Sequence, residues 1–137
     1  MIRIFLICIV GFFATPGMAQ TAPPTQPEAG RNEPPPPPYE PQLLRLSEIL
    51  GVLAFLQDLC GAERDGEELR KQMAALIDAE AATQQRKARF AGAYNKGFRG
   101  FEQTYTSCTA NARLVIARYL AEGQQIAREV ASRYGGG

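Results

Sequence analysis

The sequence predicts an all-α fold: a small antiparallel bundle of four helices with one disulfide, behind a disordered proline-rich arm. Three observations predict it. All ten prolines fall at or before Pro41, so nothing from Gln42 to Gly137 removes a backbone donor or locks φ. Behind that point apolar residues recur at spacings of three and four, the period of a helix with one face inside. Cys60 and Cys108 fall where the first and third helices are expected to finish.

The front of the chain reads as an export signal followed by a tether. Arg3 supplies a positive start, Ile4 to Ala14 is apolar or glycine throughout, and Gly17-Met18-Ala19 offers small residues for cleavage after Ala19. That apolar run would cover about 16 Å as a helix, roughly half a hydrocarbon core, so no stable membrane span is expected. Cys8 lies inside the apolar run without a lipoprotein cleavage context. A periplasmic location follows as the expectation. Residues 20–41 form a linker in which nine of 22 residues are proline, a composition that favours extended polyproline II. A solvated spacer is the plain reading. A ligand for an aromatic groove and a stalk are the others.

Loss of residues 1–19 leaves two cysteines, and an even pair in an exported chain argues for a disulfide between Cys60 and Cys108. Closing a loop of about 49 residues stabilises by roughly 4 kcal/mol in the chain-entropy picture.

Residues 42–137 form the helical domain. From Pro41 onward 11 acidic and 13 basic residues leave a charge of +2, which does not suggest a nucleic-acid partner. Helix one is expected over Gln42 to Cys60. It is apolar on nearly every side, with Ser47, Gly51 and Asp58 as a narrow polar strip, so it should be the central element. Gly61 follows as its C-terminal cap. Helix two is expected after Asp65, with Asp65 and Glu68 as a capping box and Leu69, Met73, Leu76 and Ile77 as its inner stripe. It should end or bend near Ala82-Thr83.

Helix three is expected over Gln84 to Ser107. Phe90, Tyr94, Phe98, Phe101, Tyr105 and Cys108 share one arc, and Gly92, Gly97 and Gly100 suggest close approach or a kink. Thr109 should cap helix four, which runs to about Arg133 with Val115, Ile116, Tyr119, Leu120, Ile126, Ala127 and Val130 inward. In an up-down-up-down bundle the two cysteines share a pole. Three helices, with the second and third merged through Ala79 to Gln85, are the alternative.

The available chemistry is narrow. The chain has no histidine, which removes histidine triads, histidine zinc sites and histidine-ligated haem. No metal or cofactor site is expected. Glu80 shares the face of Leu69, Met73 and Leu76, so it is a candidate acid or ligand anchor, or else the ion-pair partner of an arginine such as Arg86 or Arg99, or an end-of-helix side chain reaching water. Glu48 has Arg45 three residues before it as a local partner. Asn95, Arg99 and Glu102 recur at i, i+4 and i+7, so they form one polar ridge on helix three: a solvated edge with an Arg–Glu pair, or a recognition surface.

The stretches Leu46 to Cys60, Asp78-Ala79-Glu80, Tyr94 to Phe101, Thr104 to Ala110, Arg118 to Gly123 and Ser132 to Gly135 together resemble a family of small exported alphaproteobacterial proteins carried as a domain of unknown function. The resemblance covers nearly all of Tyr39 to Gly135. It implies an envelope location, and it implies that Cys60, Cys108, Glu80, Asn95 and Arg99 belong to the family's pattern. It brings no activity. The reading of the whole chain is a non-catalytic periplasmic interaction or structural module for another envelope protein or a cell-wall component. The alternatives are a small ligand-binding protein or enzyme using Glu80 with Arg99 or a tyrosine, and a homodimer that hides helix one.

Overall fold

The structure, a computed structural model, describes residues 33–135. The expected signal peptide and the arm as far as residue 32 lie outside them. Four helices follow one another: α1 (Glu40–Leu59), α2 (Glu63–Glu80), α3 (Gln84–Glu102) and α4 (Ala110–Tyr134). Among the described residues there is no strand. The break between α2 and α3 is short but real. Ala81 leaves the helical region, and the Thr83 hydroxyl accepts from the Arg86 amide to restart it. The merged three-helix alternative is therefore not the fold.

α1 is the spine. Ile49, Val52, Leu56 and Ser47 are four of its side chains shut away from solvent, and Phe90 of α3 is the largest such group elsewhere. α2, α3 and α4 all pack on α1 and hardly on one another. This is why α1 is apolar all round: each side faces a different neighbour. Its polar strip needs a corrected reading. Ser47 and Gly51 do not face water; both are buried. Ser47 donates its hydroxyl to the Leu43 carbonyl at 2.8 Å, which satisfies it within its own helix. Gly51 lies under α3, where a methyl group would overlap the Tyr94 carbonyl. Reciprocally, Gly97 of α3 lies on the Glu48 carbonyl. Two glycines thus bring the backbones of α1 and α3 together. Gly92 and Gly100 meet nothing and play no such part.

The helices alternate in direction. The rings of Tyr39, before α1, and Tyr134, closing α4, meet with centroids 4.9 Å apart. At that pole α2 also ends and α3 begins. At the other pole Cys60 and Cys108 are bonded, with Cα atoms 4.9 Å apart. The disulfide and the up-down-up-down order stand together.

Several element ends differ from expectation. α1 starts at Glu40, because Pro41 in the first turn needs no donor and has its φ already set. Gly61 at φ 81° turns the chain out of α1 as expected, but α2 restarts at once. The Ala62 carbonyl accepts from the amides of Asp65 and Gly66, so Asp65 sits inside the first turn and caps nothing. α3 stops at Glu102, not Ser107, and Cys108 lies in the connection to α4. The Thr104 hydroxyl bonds the Gly100 carbonyl there, and Thr109 then caps α4 by accepting from Ala112.

Candidate functional site: a groove between the second and fourth helices

α2 and α4 each pack on α1 and hardly on each other, which leaves a cleft above α1 in which, of the α1 side chains beneath it, only Leu46 is partly exposed. Leu46, Ile49, Leu50 and Leu53 make its floor. Leu69 and Gln72 stand on the α2 wall; Leu120, Gly123, Gln124 and Ala127 stand on the α4 wall. The cleft holds about 400 Å³. Through Leu46 and Ala127 it continues into a second cleft of about 320 Å³, which ends at Glu80, Tyr39 and Tyr134. Gly123 sets the depth. A Cβ there would come within 3.2 Å of the Ile49 methyl, so α4 settles close on α1 at this point.

Leu120 and Ala127 were expected to point into a core and do not; both are exposed. Their helical phase is inward, but no α2 side chain closes over them. Val115, Ile116, Tyr119, Ile126 and Val130 do pack against the core. Leu114, at 69 % exposure, is the most exposed large apolar side chain of α4.

Glu80 is half-buried at the Tyr39–Tyr134 end of the groove. Neither proposed partner reaches it. Arg86 is committed to Glu40, with Nε 3.0 Å from the carboxylate. Arg99 lies 15 residues along α3 from the pole where Glu80 sits, or about 22 Å of helix. Asn95, Arg99 and Glu102 are all exposed on α3. Among the described residues none of the three makes a side-chain hydrogen bond or ion pair, so the ridge is solvated and its Arg–Glu pair does not form. The site residues therefore divide: Glu80 joins the groove, and the other three stand apart on a different helix.

Glu48 behaves as expected. It pairs with Arg45 at 3.2 Å, and also with Lys96 at 3.2 Å. Arg45 in turn holds Glu122 of α4 with Nε at 2.8 Å and lies over the Tyr119 ring. The Arg45 hydrogen bonds hold the Glu122 carboxyl below the usual carboxylate range, and Arg45 is itself made harder to deprotonate.

The strongest charge cluster was not visible in the sequence. Glu40 is 3 % exposed and accepts from both Arg86 and Arg89, whose Nε atoms stand 3.0 and 2.9 Å away. Arg89 also donates twice to Glu33, and Thr83 donates to the same carboxylate. Those bonds pull the Glu33 carboxyl down, with the Arg89 contact the largest cause. The arm just before Pro34 is thereby fastened to the start of α3. A glutamate directly before the helix-starting Pro41 was the one available signal. On the α2 side, Arg70 holds Asp58 at 2.6 Å, and burial raises the Tyr94 phenol above its ordinary range.

Among the described residues no group of three histidine, cysteine or carboxylate side chains is placed to hold a metal ion. Among them no helix is long and apolar enough to cross a membrane. The groove offers an apolar trough with two glutamines on its rim and one carboxylate at its end.

The chain belongs to the family described as Protein of unknown function (DUF2385), whose match spans residues 38–134. The span takes in all four helices, the disulfide and both ends of the groove. No curated protein and no solved structure matches the chain.

Proposed function

We propose that the protein is an exported, non-catalytic helical interaction module of the cell envelope, and that the α2/α4 groove is its binding face. The apolar cleft between α2 and α4 carries this reading. The domain closes one side of its central helix with backbone contact, yet along this cleft it leaves Leu46 partly exposed and Leu120 and Ala127 exposed, a surface suited to a partner. The leader-like residues 1–19 and the Cys60–Cys108 bond support export to the periplasm. Of the alternative, a ligand-binding protein or enzyme using Glu80 with Arg99 or a tyrosine, the Arg99 pairing lacks its members in one place, whereas Tyr39 and Tyr134 line the same cleft as Glu80.

Affinity capture from envelope extract tests the reading, with residues 20–32 present and absent. Ala127→Trp adds bulk at an exposed groove wall. It should abolish capture without lowering the melting temperature, and Arg99→Glu should leave capture unchanged. The opposite pattern would place binding on the α3 ridge.

A further inference from the structure

The run from Pro34 to Pro38 is held against the domain at both of its ends. At the far end Glu33 accepts from Arg89 Nη1 and Nη2 at 3.0 and 3.2 Å, and from the Thr83 hydroxyl. At the near end Glu40, the first residue of α1, accepts from Arg89 Nε at 2.9 Å. One guanidinium therefore pins both ends of the run. Between the pins Pro34, Pro35 and Pro36 are exposed. Their rings fix φ, so the segment is extended by its covalent geometry. The Pro37 carbonyl accepts the Glu40 amide, whereas among the described residues the carbonyls of Pro34, Pro35 and Pro36 accept no backbone amide. The pinned run leaves a cleft of about 460 Å³ between its proline rings and Pro41, Leu44 and Arg89. This lining reaches solvent: Pro41 is exposed, Leu44 is half-buried, and the Arg89 side chain is 38 % exposed.

We propose that this cleft is a second docking site, independent of the α2/α4 groove, and that it takes a tryptophan or tyrosine side chain of a partner protein. Three features select an aromatic ring. Proline rings in an extended run pack on aromatic side chains, the basis of polyproline recognition. Arg89 is a planar cation held in place by two carboxylates, and such a group favours the face of a ring. The proline carbonyls are acceptors for an indole N–H or a phenol O–H. An aliphatic side chain would use the first feature alone. The pins matter because a segment already held extended loses little freedom when a partner docks on it.

A tripeptide with tryptophan at its centre and blocked ends tests this on the mature protein. The chain has no tryptophan, so indole emission reports on the probe alone. The probe should shift the NMR signals of the Leu44 methyls and the Arg89 Nε–H, and bind about tenfold more tightly than the same tripeptide with leucine. Pro35→Ala combined with Pro36→Ala leaves both pins in place. It should remove that preference with the melting temperature unchanged. Glu33→Gln frees the far end and should weaken the tryptophan probe severalfold. Equal binding of the leucine tripeptide, shifts confined to other residues, or full binding by either variant would overturn the site. None of these results bears on the α2/α4 groove, which Ala127→Trp tests separately.

Discussion

The two long sides of α1 are built by opposite rules. Toward α3 the contact is backbone on backbone: Gly51 lies under the Tyr94 carbonyl and Gly97 on that of Glu48. A buried carboxylate, Glu40, then locks the start of α1 to two arginines of α3. Toward α2 and α4 the contact is looser, and a cleft of about 400 Å³ remains between those two helices above Leu46. One helix therefore serves as both keystone and floor. The side without tolerance for change holds the fold, and the side with space is where binding is proposed.

The first way to break this contrast is Glu40→Ala. It leaves Arg86 and Arg89 facing each other without their shared anion, and Arg86 is only 12 % exposed. Removing one partner of a buried pair costs about 3–5 kcal/mol, so chemical denaturation should show a loss of that order. Reduction of the disulfide, or Cys60→Ser, should cost about 4 kcal/mol, and the two treatments should give the same melting temperature. Equal stability with and without reductant would remove the bond from the account.

The glycines sharpen the contrast. Gly51→Ala puts a methyl group into the α3 backbone and should cost about 1–3 kcal/mol or more, because backbone yields less than a side chain. Gly92→Ala meets nothing and should gain up to about 1 kcal/mol from helix propensity. Thermal melting separates them, since 1 kcal/mol moves a domain of this size by about 4–8 °C. Equal responses at the two positions would mean that α1 and α3 are not in backbone contact.

The smallest expected effect is on the open side. Glu122 has its carboxyl lowered by Arg45 in the folded chain, so its contribution is present above the unfolded carboxylate range and is lost as pH falls through the folded value. The pair is about one-third exposed, and such pairs contribute about 0.2–1 kcal/mol after screening. Glu122→Gln should remove that fraction of the acid sensitivity below pH 4, read as a shallower loss of melting temperature. At high pH the half-buried Tyr94 works in the other direction. Its raised phenol keeps stability intact below its unfolded value near pH 10, and that stability is lost as pH climbs through the folded one.

Much of the architecture was legible because helix period, caps and cysteines are local signals. Thr109 caps where a threonine before a periodic run should. The apolar circumference of α1 correctly announced a central helix. The ends were harder to read. Asp65 resembles a cap, but Gly61 turns the chain so sharply that α2 has already begun. Gly51 reads as part of a polar strip, and only α3 shows that small size, not polarity, was its purpose. Glu80 stood out because a carboxylate on an apolar stripe is rare, and it does line the groove. The Glu40 cluster stayed hidden because its members lie 46 and 49 positions apart. The groove stayed hidden because nothing in the phase of α4 reveals that α2 leans away.

The binding face can be located most directly by photo-crosslinking in living cells, from a photoreactive residue placed at position 127 on the groove wall or at position 99 on the α3 ridge. Discrete adducts from 127, and none from 99, are the expected result. Adducts from 99 alone would contradict the assignment of α1's open side as the place where the partner lies.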